Sequence, residues 1–154
     1  PKYGGYSWVD QRASKWSNMT EFTPAVELLD ELIQTVAADH PDVDFGQLRM
    51  AGFSQGAALT YAFMARYPQR VARATAMAGF LPEGIEAVVD PALVERKPLL
   101  IAHGEQDATV PLDMAEAAYE AWNSFGADVQ WCTSPVGHKL GSNCMKAFSA
   151  FIVA

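Results

Sequence analysis

The chain has 154 residues, 50% of them hydrophobic and 19% charged, a composition typical of one globular domain that would bury about 68–70% of its unfolded surface. A net charge of −7 argues against sequence-independent nucleic-acid binding and against an anionic membrane surface, both of which call for clustered Lys and Arg. No stretch approaches the roughly 18 consecutive apolar residues of a membrane span. Cys132 and Cys144 are the two cysteines and form no Cys-x-x-Cys pair. Neither a disulfide framework nor a thiolate metal site is therefore expected, and a reducing cytoplasm is the default location. The first residues show no charged segment followed by an apolar one, so no secretory signal is visible.

In chain order, the first predicted helix starts at Thr23 as cap with Pro24 at the first helical position. It carries Val26, Leu29, Leu32, Ile33 and Val36 on one stripe meant for a sheet, and ends near His40-Pro41. Residues 48–53 are short, apolar and flanked by turn formers, which predicts a buried strand, and 55–67 predict a helix stopped by Pro68. Strands follow at 71–78 and 98–102, separated by an irregular connection over 82–97. A helix over 112–125, closed by Gly126, precedes a strand at 129–132, and a last helix covers 142–153 with Phe148, Phe151 and Ile152 facing inward. Alternating strands and helices imply an α/β fold. The expectation is a mostly parallel sheet of about four strands flanked by helices, in a single domain over 1–154 without repeats.

Gly52-Phe53-Ser54-Gln55-Gly56 reads Gly-x-Ser-x-Gly between the predicted strand and helix. That motif places a serine on a sharp turn, with glycines two positions either side relieving the crowding and the hydroxyl pushed clear of the backbone. The following N–H, on Gln55, would face developing negative charge. A tight packing turn is the bland alternative. A serine hydroxyl is a weak nucleophile at neutral pH and needs an imidazole to take its proton and a carboxylate to fix the imidazole's tautomer. Asp107 lies just beyond the 98–102 strand and His138 just beyond the 129–132 strand, in a loop bearing Gly137 and Gly141. Taken singly, Asp107 would cap a helix or close an Asx turn, and His138 would be a solvated loop histidine. Together, Ser54, Asp107 and His138 follow the chain order Ser, Asp, His of α/β-hydrolases, each just past a strand.

The other histidines read as structural: His40 near a helix end, and His103 as a satisfied residue at a strand terminus. The three histidines lack metal-ligand spacing, and no phosphate-binding or dinucleotide fingerprint occurs. No metal and no organic cofactor are expected.

Gly-Phe-Ser-Gln-Gly at 52–56, His-Gly-x-x-Asp-x-x-Val-Pro at 103–111 and Gly137-His138 together resemble the phospholipase/carboxylesterase family, which includes acyl-protein thioesterases. Ser7-Trp8-Val9-Asp10 is similar to that family's Ser-Trp-Phe-Asp segment, so the resemblance runs along nearly the whole chain. It implies Ser54 as acylated nucleophile, His138 as general base and then acid, Asp107 as its orienter and the Gln55 amide as an oxyanion donor. It also implies an acyl pocket lined by Trp8, Phe80 and Leu81, with Val110 and Leu140 nearby, although ordinary core packing accounts for such residues equally well. The implied activity is hydrolysis of small-molecule carboxylic esters, with acyl thioesters as relatives; a shift of the same chemistry to peptides or feruloyl-type esters is an alternative that the residues leave open.

Family members carry further strands and a His-Gly-x-Gly type loop that completes the oxyanion hole, and this sequence shows neither. The expectation is a truncated or minimal α/β-hydrolase whose serine strand forms an open sheet edge. That edge would be covered by more of a longer enzyme, by a second copy in a homo-oligomer, or by residues 1–16 folding over it. A catalytically impaired binding module is the alternative, because losing one oxyanion donor can lower turnover by about two to three orders of magnitude.

Overall fold

The computed structural model describes residues 6–9 and 15–154. Its first helix, α1 (Met19–Asp39), begins earlier than Thr23 because a reciprocal capping box precedes it. Asn18 Oδ1 accepts from the Glu21 amide and Glu21 Oε2 from the Asn18 amide, both at 2.9 Å. Two otherwise orphaned N–H groups are satisfied at once, which outweighs the weaker Thr-Pro start signal and leaves Pro24 inside the helix. The remaining elements are β1 (Leu48–Phe53), α2 (Gln55–Arg66), β2 (Val71–Met77), the short α3 (Pro91–Val94), β3 (Pro98–Gly104), α4 (Leu112–Ser124), β4 (Asp128–Ser134) and α5 (Ser142–Val153).

All pairings are parallel and the strand order is β1-β2-β3-β4, so each crossover moves one place across the sheet. Alternation along β3 sends Leu99 and Ile101 into the main core with α1, α2 and α4, while Leu100 and Ala102 are buried outside that cluster. The second face is covered by α5 through Phe151. Arg49 of β1 donates to Ile152 O at 2.9 Å, and the Arg73 guanidinium reaches Phe151 O while lying over the Phe151 ring. The last carbonyls of α5 thus meet positive charge, the sign a helix C-terminus favours. Gly126, at φ 91°, closes α4 in the left-handed region, and the Ala127 amide then returns to Trp122 O at 3.1 Å.

Two expectations change here. The α1 stripe does not lie wholly on the sheet. Its helix packs mainly on α2, burying Met19, Phe22, Ala25 and Val26, while Leu32 and Val36 are exposed. The reason is that, among the described residues, β1 ends the sheet, so the far half of α1 has no described strand beneath its outer side. The cysteines are the second change, since Cys132 of β4 and Cys144 of α5 are joined in a disulfide. Twelve residues of separation carry no framework pattern, and it is the docking of α5 on β4 that brings the pair together.

Among the described residues β1 pairs with β2 alone and so forms an edge of the sheet, Ala51 and Phe53 are exposed, and a groove runs along the strand between Leu29, Ile33, Leu48, Met50 and Trp8. Of the segment expected to fold over that edge, only residues 6–9 and 15–16 are described, and Trp8 reaches the lip of the groove. Asp10 lies outside the described residues. Among those residues, no helix is long and apolar enough to cross a membrane.

Candidate active site

Ser54 joins β1 to α2 with φ 57° and ψ −119°, a conformation rarely adopted by a residue bearing a side chain. Its amide continues the sheet by donating to Met77 O at 2.8 Å. The two glycines of the motif are not equivalent. A Cβ at Gly52 would stand 2.0 Å from Gly56 O, so the elbow requires glycine there. At Gly56 a Cβ would, among the described residues, meet only Trp8 Nε1, at 4.0 Å, and the expectation of crowding on that side is corrected.

From the opposite margin of the sheet, the loop after β4 brings His138 Nε2 to 3.0 Å from Ser54 Oγ. His138 Nδ1 lies 2.7 Å from Asp107 Oδ2. The other carboxylate oxygen, Oδ1, accepts from the Thr109 and Val110 amides at 2.8 and 3.0 Å, and the side chain is fully enclosed. Burial alone would raise the Asp107 carboxyl. The hydrogen bond with His138, the two amides and the Coulombic attraction of His138 outweigh burial and hold it below the usual carboxylate value. An ionised Asp107 can only accept, so Nδ1 donates to it, and in the neutral imidazole of that tautomer Nε2 presents its lone pair to the serine hydroxyl.

Gln55 opens α2, so its backbone N–H belongs to the first helical turn, which lacks intrahelical acceptors. Its side chain acts elsewhere. Oε1 accepts from the Trp8 amide at 2.8 Å, with Ser7 Oγ 3.1 Å away. Residues 7–9 are thereby strapped to the start of α2, and Val9 is buried in the main core.

A cleft of about 370 Å³ opens beside Ser54 and Gln55, lined by Lys15, Trp16, Ser17, Phe80, Thr109 and Val110. Phe80 and Val110 are thus placed beside Ser54, and Trp8, Leu81 and Leu140 do not line this cleft. Trp8 is drawn by Gln55 toward Gly56 and the β1 groove, Leu81 packs on the main core, and Leu140 lies half-buried beyond His138. The Trp16 ring stands in the cleft instead, 5.0 Å from that of Phe80 and under Lys15 Nζ. Sequence reasoning does not single out residues 15–17. Their signal is the Asn18-x-x-Glu21 box, which makes them the approach to a helix start. Phe53 is a second omission, and its ring flanks the His138 imidazole at 4.9 Å.

His103 is buried beneath Asp107, with Nε2 2.9 Å from Val110 O and 3.6 Å from Asp107 Oδ2. Only half of the expected satisfaction is met, since Nδ1 has no hydrogen-bond partner among the described residues.

Residues 2–154 match the family model described as Phospholipase/Carboxylesterase. The chain belongs to the phospholipase/carboxylesterase family. One relative in sequence is acyl-protein thioesterase 1 of Debaryomyces hansenii, 30% identical over 117 residues, which take in 74% of this chain and 50% of that protein. The chain thus spans about half the length of that relative. Among solved structures, esterase PE8 aligns with TM-score 0.80 and 24% identity over 97% of this chain and 70% of that one. The Bacillus cereus carboxylesterase aligns with TM-score 0.81 and 16% identity over 96% and 68%. Arabidopsis thaliana SOBER1 aligns with TM-score 0.78 and 21% identity over 96% and 72%. At such identities the likeness to these solved structures is one of fold. The α/β-hydrolase architecture and membership of a hydrolase family stand on these matches.

Proposed function

We propose that the chain is a serine carboxylesterase that cleaves carboxylic esters, acyl thioesters included, through an acyl-enzyme on Ser54. Ser54 Oγ attacks the substrate carbonyl while His138 Nε2 takes the hydroxyl proton, and the Asp107 carboxylate stabilises the imidazolium that forms. The Gln55 amide donates to the oxyanion. Collapse of the tetrahedral species expels the alcohol or thiol, which takes its proton from His138. Water, deprotonated by the same imidazole, then attacks the acyl carbonyl, and collapse breaks the bond to Ser54 Oγ, releasing the carboxylic acid while His138 returns its proton to the serine. The acyl group would lie against Trp16, Phe80 and Val110, and the volume of the cleft suits small to medium chains.

The observation that carries this reading is the continuous contact from Ser54 Oγ through His138 to a carboxylate tied by two amides. Ser54→Ala is expected to abolish p-nitrophenyl ester hydrolysis with an unchanged circular dichroism spectrum. A variant that turns over like the wild type would refute the assignment. Hydrolysis is also expected to fall on acidification, because only the neutral imidazole accepts the proton.

A further inference from the structure

We propose that the Cys132–Cys144 disulfide is a positioning element of this site, holding the His138 loop over the sheet at the place where the imidazole meets Ser54. The inference rests on the reading of His138 as the base.

Ser54 follows β1 and His138 follows β4, the two margins of the sheet, which are separated by three strand spacings, roughly 14 Å. The loop 135–141 must therefore project its imidazole across the ends of β2 and β3 and stay there. Its first arm is joined to the turn that carries Asp107. The Glu105 amide donates to Ser134 O at 2.8 Å and the Gln106 amide to Val136 O at 3.0 Å. Gly104 approaches so closely that a Cβ would stand 2.2 Å from Gly137 O.

The second arm is held differently. After Lys139 turns back on Gly137 O, its cross-ties gather at the start of α5. Asn143 Nδ2 donates to Thr133 O at 2.8 Å, Asn143 Oδ1 meets Ser134 Oγ, and Gly141 presses on the Ser134 side chain. Each of these requires the first turn of α5 to stay beside the end of β4. The disulfide fixes that relation covalently, and His138 lies midway in the segment it closes. A displacement of about 1 Å in reacting groups can cost on the order of 100-fold in rate, so a bond that limits the wander of this arm acts on turnover as well as on stability.

The test compares the air-oxidised protein, the same protein reduced with a water-soluble phosphine, and Cys132→Ser/Cys144→Ser. The phosphine gives two electrons to the S–S bond and leaves as its oxide with oxygen from water, while the two sulfurs take protons as thiols. On a p-nitrophenyl ester, kcat is expected to fall about tenfold in the reduced protein and in the double variant, with KM within twofold and circular dichroism unchanged. Reoxidation should restore the wild type. The proposal is overturned by a kcat within twofold of the oxidised protein, by a change confined to KM, or by loss of the fold on reduction, which would make the bond a general staple. Two titratable thiols in the air-oxidised protein would overturn it as well. Should the double variant not fold, the reduced wild type carries the comparison. Failure of the underlying catalytic reading is seen separately, as undiminished hydrolysis by Ser54→Ala.

Discussion

The Ser54 side of the cleft and the His138 side are built at opposite margins of one sheet, and they are held by different means. At the β1 margin, among the described residues, the strand has no partner along its outer edge, Ala51 and Phe53 are exposed, and residues 7–9 are tied to the elbow through the Gln55 side chain. At the β4 margin the Asp107 turn and the His138 loop are joined by two backbone hydrogen bonds and a glycine contact without room for a methyl group, and a disulfide ties the start of α5, where that loop ends, to β4. Ser54 needs little bracing because its strained turn is fixed from below, by Gly52 against Gly56 and by the Ser54 amide on Met77 O. His138 hangs on a loop and has to be held from several directions.

The contrast predicts unequal responses to substitution. The largest belongs to Asp107→Asn, which leaves the shape of the site but reverses the favoured imidazole tautomer. Steady-state ester hydrolysis should show kcat lower by on the order of 10⁴-fold. The same variant probes acid stability. The folded-state carboxyl value is depressed, so the contribution of Asp107 is complete above the unfolded-state value and is lost as pH falls through the folded one. Thermal melts of the wild type should therefore drop on acidification through that window, and those of Asp107→Asn should drop less.

Gly104→Ala comes next. Its Cβ would collide with backbone rather than with a yielding side chain, and a loss of about 3 kcal/mol in urea unfolding is expected. Gln55→Ala keeps the backbone amide and removes only the strap on residues 7–9. A cost of about 1 kcal/mol in unfolding is expected, with kcat lowered less than tenfold. Gly56→Ala is the smallest, within about 0.5 kcal/mol of wild type, because the nearest described atom, Trp8 Nε1, would stand 4.0 Å from that Cβ. An equal penalty for Gly104→Ala and Gly56→Ala would erase the distinction drawn between the two margins.

Much of the fold is legible in the sequence because its signals are local. The β1 and α5 limits follow from short apolar runs and helix periodicity, and Gly126 ends α4 as a left-handed glycine should. The start of α1 is harder to place because Thr23-Pro24 is a familiar opening, whereas the Asn18–Glu21 box is a reciprocal pair visible only when both partners are weighed together. The pairing of Cys132 with Cys144 and the presence of Lys15, Trp16 and Ser17 in the cleft depend on how distant elements dock. Trp8 illustrates the same limit. The family resemblance implies a place for it in the acyl pocket, but its amide bonds to Gln55 and its ring lies by the β1 groove. That Ser54, Asp107 and His138 each lie past a parallel strand follows from the order of elements, while their separations of 3.0 and 2.7 Å depend on loop packing that no local pattern contains.

Whether Ser54 is the nucleophile of a Ser–His–Asp relay is decided most directly by peptide mapping after reaction with a fluorophosphonate. One adduct is expected in the wild type, on the peptide containing Ser54, with labelling slowed strongly in Asp107→Asn. An adduct on another residue, or ester hydrolysis that continues at full rate without any adduct at Ser54, would contradict that assignment.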